Sequence, residues 1–141
     1  MRNGHTVLEL IIVFVLLALA ASMALPPLAR LLDTASVRES AGRYTAAHHA
    51  ARRLAGARGM LARIELDSAA RSATLSVRTR TRWDTLEIRL LGSASLRASQ
   101  RVITFAPMGL GFGLSNSRIV FQRGMASETL VVSRTGRLRR D

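Results

Sequence analysis

The stretch GHTVLELIIVFVLLALAASMALPP, residues 4–27, decides the architecture, because residues 7–25 are apolar except for Glu9 and Ser22. At about 1.5 Å per residue such a run crosses most of a hydrocarbon core of about 30 Å. It reads as a membrane helix. Arg2 precedes the run and Arg30 follows it, and the basic leader favours a cytoplasmic N-terminus. A cleaved secretory signal is the alternative, with Ala20, Ala21 and Ser22 serving as the small residues at the cut. That alternative leaves Glu9 unexplained. A carboxylate inside lipid costs about 3 kcal/mol unless something pairs with it, so its presence asks for a cation.

Residues 4–10, Gly-His-Thr-Val-Leu-Glu-Leu, resemble the processing region of type IV pilin-like proteins. The resemblance implies a leader of residues 1–4, removed after Gly4 by a prepilin peptidase that also methylates the new terminus, His5. It implies that Glu9, fifth in the mature chain, neutralises that α-amino group in its own or a neighbouring subunit during filament assembly. Pro26 and Pro27 match the proline that the family often carries about twenty residues into the mature chain. His5 departs from the usual phenylalanine. A buried ion pair needs both partners, since a lone buried charge is strongly destabilising.

Past position 27, roughly 115 residues remain, enough for one small domain with its own core. There is no cysteine, so no disulfide braces it. The formal charge is +12 and all 21 basic residues are arginine. A surface of that sign suits DNA, anionic lipid or acidic protein partners and does not choose among them.

Leu28, Leu31, Leu32, Ala35, Tyr44, Ala47, Ala51 and Leu54 recur at three- and four-residue spacing, which predicts an amphipathic helix over 28–58. The pair Pro26-Pro27 predicts a kink or local break before it, because proline removes a backbone donor and restricts its predecessor. Gly56 and Gly59 suit the helix end. From 59 onward the chain is β-rich. Strands are expected over 60–66, around Ala73, Leu75 and Val77, around Leu86, Ile88 and Leu90 with those three facing inward, and over 102–105, 118–122 and 129–133. The expected fold is α+β: a long N-terminal helix, transmembrane over 5–27 and amphipathic beyond, packed on an antiparallel sheet head spanning 28–141.

The segments 103–109, 119–121 and 130–137 are similar to the C-terminal region of H-type minor pseudopilins and their FimT relatives. Together with the N-terminus, this likeness covers nearly the whole chain. It implies a low-abundance subunit of a type II secretion pseudopilus or a related pilus, anchored once in the inner membrane with its head in the periplasm. Its partners would be other pilin subunits and the prepilin peptidase. Major pseudopilins, by contrast, resemble calcium binders with acidic C-terminal loops, and past Leu110 this chain has only Glu128 and Asp141 as acids.

FimT-like proteins of DNA uptake carry a GRxR pattern whose arginines contact DNA, and Gly136, Arg137 and Arg139 match it, with Arg134 and Arg140 as helpers. Should Leu138 pack inward, alternation sets Arg137 and Arg139 on one outer face, where guanidinium groups could bridge phosphates of double-stranded DNA in a salt-dependent way. The competing reading is a solvated arginine edge that discourages strand-to-strand aggregation. Trp83 reads as core or sheet cover.

Little else in the sequence carries chemistry. The glycines at 109, 111 and 113 lack the spacing and following helix of a dinucleotide fingerprint and read as a loop. His48 and His49, adjacent on a helix, diverge by about 100° and suit a surface or an interface better than one metal. Glu65 and Asp67 share a strand face without a third ligand or proton donor. No catalytic, metal or cofactor site is expected, and the chain reads as non-enzymatic.

Overall fold

The computed structural model describes residues 6–113 and 116–141, the side chain of Ala24 excepted, so Gly4 and His5 lie outside the described residues. Among the described residues, one α-helix, α1 (Val7–Arg58), is followed by eight strands. The chain divides into two compact units, Met1–Leu32 and Asp33–Asp141.

Within the first unit, α1 starts behind Thr6, whose Oγ1 accepts the Glu9 N–H at 3.3 Å. Thr6 and Glu9 therefore occupy the N-cap and N3 positions of a T-x-x-E capping sequence, and the acid sits where the helix dipole favours it. The helical assignment continues without a gap through Pro26 and Pro27. The single long helix is thus formed as expected, and of the two alternatives at the proline pair the local break is not made. Proline's fixed φ is compatible with a helix, and the pair removes two donors without forcing the chain out of helical geometry. The large apolar side chains of this unit are between 49 and 77 % exposed.

The second unit takes the rest of α1 and two four-stranded antiparallel sheets. The first sheet has the order β3-β2-β1-β5, from β1 (Ala62–Asp67), β2 (Ser72–Thr79), β3 (Arg82–Leu90) and β5 (Val102–Phe105). The second has the order β4-β6-β7-β8, from β4 (Ser95–Ala98), β6 (Ser117–Arg123), β7 (Ala126–Val132) and β8 (Leu138–Arg140). β4 was not expected from the sequence. Its four residues carry one fully apolar inward position, Leu96, too little alternation to register.

A single core joins the helix to both sheets. Val37, Ala41, Tyr44, Ala47, Ala51 and Ala55 line the helix face, Ile64, Leu75, Ile103 and Phe105 the first sheet, and Ile119, Phe121, Leu130 and Val132 the second. The true helical stripe begins at Val37, so Leu28, Leu31, Leu32 and Ala35 are exposed instead of belonging to it. The small side chains of Ala41, Ala47, Ala51 and Ala55 let the helix axis approach the sheets closely, and the volume is filled from the other side by Phe105 and Phe121. The helix stops at Gly59, whose φ of 60° is the left-handed cap. Met60 N–H reaches back to Ala55 O at 3.3 Å, closing the C-terminal turn.

β3 overturns one expectation. Leu86, Ile88 and Leu90 are 44, 65 and 68 % exposed. Glu87 and Arg89 stand opposite Leu75 and Ala73, on the helix-facing side, and grip each other through two bonds of 2.7 and 2.8 Å. β3 is an edge strand, and its register with β2 shifts between Leu75 and Ser76. The alternation in the sequence is real, but its phase is reversed. Trp83 covers the outer face of the same sheet, with the Arg63 guanidinium 4.5 Å from its ring centroid.

Candidate nucleic-acid interface and assembly surface

The sequence singled out two regions, the helix start and the arginine-rich end. In the first, Glu9 lies in the opening turn of α1 beside Thr6. The T-x-x-E spacing that makes it a helix-capping acid is present in the sequence. Among the described residues, none of the most hydrophobic 18-residue window of the helix is buried within the chain. By length and composition this helix is able to cross a membrane.

The second region is built on strand pairing. Leu130 and Val132 of β7 are buried, and their neighbours across the ladder are Arg140 and Leu138 of β8. Residues directly opposite share a face. Leu138 accordingly packs against the core, and Arg137 and Arg139 are exposed on the solvent side. Arg140 takes the opposite face from that pair, with its Nε 2.9 Å from Glu128 Oε1. The structure therefore separates Arg140 from Arg137 and Arg139. Arg134 is exposed in the turn before β8, where its N–H donates to Asn116 Oδ1 at 3.2 Å.

That turn is firmly held. Gly136 has φ +77°, a conformation that glycine adopts without penalty. A Cβ there would come within 2.9 Å of Gly111 N and 3.2 Å of a Phe105 ring carbon. Ser133 O accepts from Gly136 N at 2.8 Å and Ser133 N donates to Arg137 O at 2.8 Å. From the helix, His48 Nε2 meets Gly136 O at 3.0 Å. Accepting geometry at a carbonyl makes Nε2 the donor, which leaves Nδ1 unprotonated and without a hydrogen-bond partner in the core. His48 is fully buried, edge-on to Phe105 at 5.0 Å between ring centroids. Burial pushes its pKa down to about 4, with smaller contributions in the same direction from His49 and Arg52 and an opposing one from the Gly136 bond. The expectation of a surface histidine is thereby corrected for His48, while His49 is exposed. Spacing alone did give the signal, since 44, 48, 51 and 55 lie on one helical face.

Pairing also brings in arginines that the sequence did not connect. Arg118 of β6 and Arg139 of β8 both stand opposite Val131 of β7, one on each side of it. Arg97 of β4 stands opposite Val120, which faces Thr129. All of these lie on the solvent face, so Arg97, Arg118, Arg137 and Arg139 are presented together by the second sheet. Asn116, Val131, Ser133, Thr135, Arg137, Leu138 and Arg139 line a shallow hollow there. Arginine forks beside a hydroxyl and an amide are chemically suited to phosphate oxygens. Among the described residues there is no cluster able to hold a metal ion.

No family model matches the chain, and no curated protein matches it in sequence. Its fold is similar to that of the type IV minor pilin FimU of Pseudomonas aeruginosa. In one crystal form the TM-score is 0.63 at 16 % identity, covering 74 % of this chain and 87 % of that one. In a second form the TM-score is 0.62 at 14 % identity, with 74 and 91 % covered.

Proposed function

Starting from a fold that is pilin-like, a long apolar helix followed by an α+β head, we propose that this chain is a minor subunit of a type IV pilus-like filament, acting structurally and not as an enzyme. The observation that carries this reading is the first unit. Its leucines, isoleucines and valines are about half exposed or more. A face of that size has to be buried by lipid before assembly and by neighbouring helices after it. The prepilin peptidase would cut between Gly4 and His5, and Glu9 would then sit one turn from a new positive terminus. Pro26 and Pro27 would let the helix bend as it enters the filament. Anchored once in the inner membrane, the head would occupy the periplasm, and the filament would be a type II secretion pseudopilus serving protein export.

Glu9→Leu tests the assignment. Insertion should persist, because the substitution makes the helix more apolar, and incorporation into sheared filaments should fall at least tenfold, the equivalent of about 1.4 kcal/mol. Normal incorporation of that variant would remove the role given to Glu9.

A second reading is favoured by the shared exposure of Arg137 and Arg139 beside the hollow on the second sheet. On this reading the subunit belongs to a DNA-uptake pilus and its head binds double-stranded DNA through phosphate contacts. Anisotropy titration of the detergent-solubilised chain with a labelled duplex should show salt-sensitive binding that is lost in the Arg137→Ala, Arg139→Ala double variant. Binding indifferent to that pair would leave the export reading alone.

A further inference from the structure

Asp141 follows β8 and continues its pairing, its N–H donating to Thr129 O at 3.0 Å. Its side chain consequently lies on the solvent face of the second sheet, the face of the exposed arginines. One carboxylate oxygen is 3.6 Å from Arg139 and the other 4.0 Å from Arg118. Those two arginines belong to strands that are not neighbours. They are separated by β7, hence by about 9.6 Å between strand axes at the usual spacing, and they lean toward one acid across Val131 and Thr129. The acid is half exposed and the arginines more so, which makes these contacts weak and exchangeable.

We propose that Asp141 is an internal stand-in for a phosphate: its carboxylate occupies an anion position between Arg118 and Arg139, and a DNA backbone displaces it. This rests on the second reading above, that the basic face takes DNA, and adds two things to it. Arg118, on a strand distant in sequence from the Gly-Arg motif, is a phosphate-contacting residue. Asp141 is a competitor built into the same face, one that lowers affinity and steepens discrimination against weakly anionic ligands. The geometry is that of two guanidinium forks converging on one oxyanion, which a phosphodiester reproduces with the same charge and more acceptor oxygens. Such a contact acts with no change of fold, because only side chains move.

The test uses the full chain in neutral detergent and a fluorescein-labelled DNA duplex, titrated by anisotropy over a range of sodium chloride concentrations. Asp141→Asn should tighten binding about two- to five-fold at low salt, the range of one or two exposed ion pairs, and the gain should fade as salt screens the face. Asp84→Asn makes the same change in net charge at the distant β3 edge, where Asp84 pairs with Arg82 at 3.1 Å, and should give less than half of that gain. Arg118→Ala should weaken binding, reduce the slope of log affinity against log salt by about 0.9, and abolish most of the benefit of Asp141→Asn when the two are combined. Binding by Asp141→Asn where the original chain shows none also supports the proposal. Equal effects of Asp141→Asn and Asp84→Asn, or a gain that survives Arg118→Ala undiminished, would overturn it while leaving DNA binding through Arg137 and Arg139 intact. Failure of both the original chain and Asp141→Asn to bind any duplex would end both readings together.

Discussion

Acidification should destabilise the head through one side chain, His48. In the folded protein its pKa lies at about 4, lowered chiefly by burial, against about 6.5 in an unfolded chain. Between those values the unfolded state binds the proton that the folded state refuses, so stability is complete above the unfolded pKa and is lost as pH falls toward the folded one. The wild type should lose about 2 kcal/mol from this group between pH 7.5 and pH 5, and about 3 kcal/mol by pH 4. Acid acts on other parts of the protein as well, so the informative quantity is a difference. His48→Gln keeps an N–H able to reach Gly136 O and cannot ionise. Urea unfolding of both proteins in detergent, followed by far-UV circular dichroism at intervals between pH 7.5 and 4, isolates the histidine. The wild type should fall relative to the variant by the amounts given. Parallel pH profiles would refute the assignment of His48 as a neutral core group tied to the turn before β8.

Three further outcomes follow from packing. Gly136→Ala should cost about 2 kcal/mol, because it combines a positive φ with a Cβ placed against Gly111 and Phe105; a thermal melt should show Tm lowered by roughly 8–12 °C. Ile64→Ala, at a site with no exposure, should cost about 2–5 kcal/mol in denaturant unfolding. Ile88→Thr, on the exposed face of the β3 edge, should change stability by no more than about 0.5 kcal/mol in the same assay, although both isoleucines look alike in the sequence pattern.

The two isoleucines also show where sequence reasoning reaches and where it stops. Period-two alternation located β1, β2, β3, β5, β6 and β7 to within a few residues, because side chains on a strand must point to opposite faces. It did not tell which face of β3 meets the core. That depends on β3 standing at the edge of its sheet, with Glu87 and Arg89 closing the helix side. The helix is legible from residue 7 to Gly59, but the start of its buried stripe is not, since leucines at 28, 31 and 32 have the same spacing whether lipid, neighbours or the head covers them. The long apolar run and Glu9 were visible at once. Arg137 and Arg139 were visible as well, but not their company: Arg118 joins them only through the β6-β7-β8 register, which no local pattern encodes. Residue type hides the burial of His48, a polar ring on a face otherwise lined by Tyr44 and alanines.

The proposed role requires that the apolar helix be trimmed after Gly4 and neutralised at its new end by Glu9. Intact-mass measurement of the chain extracted from membranes of cells with an active prepilin peptidase tests this directly. The mass should correspond to a chain beginning at His5, with the first four residues gone and a methyl group on the terminus. A chain that still begins at Met1 in those cells would contradict it, for Glu9 would then face no new positive terminus.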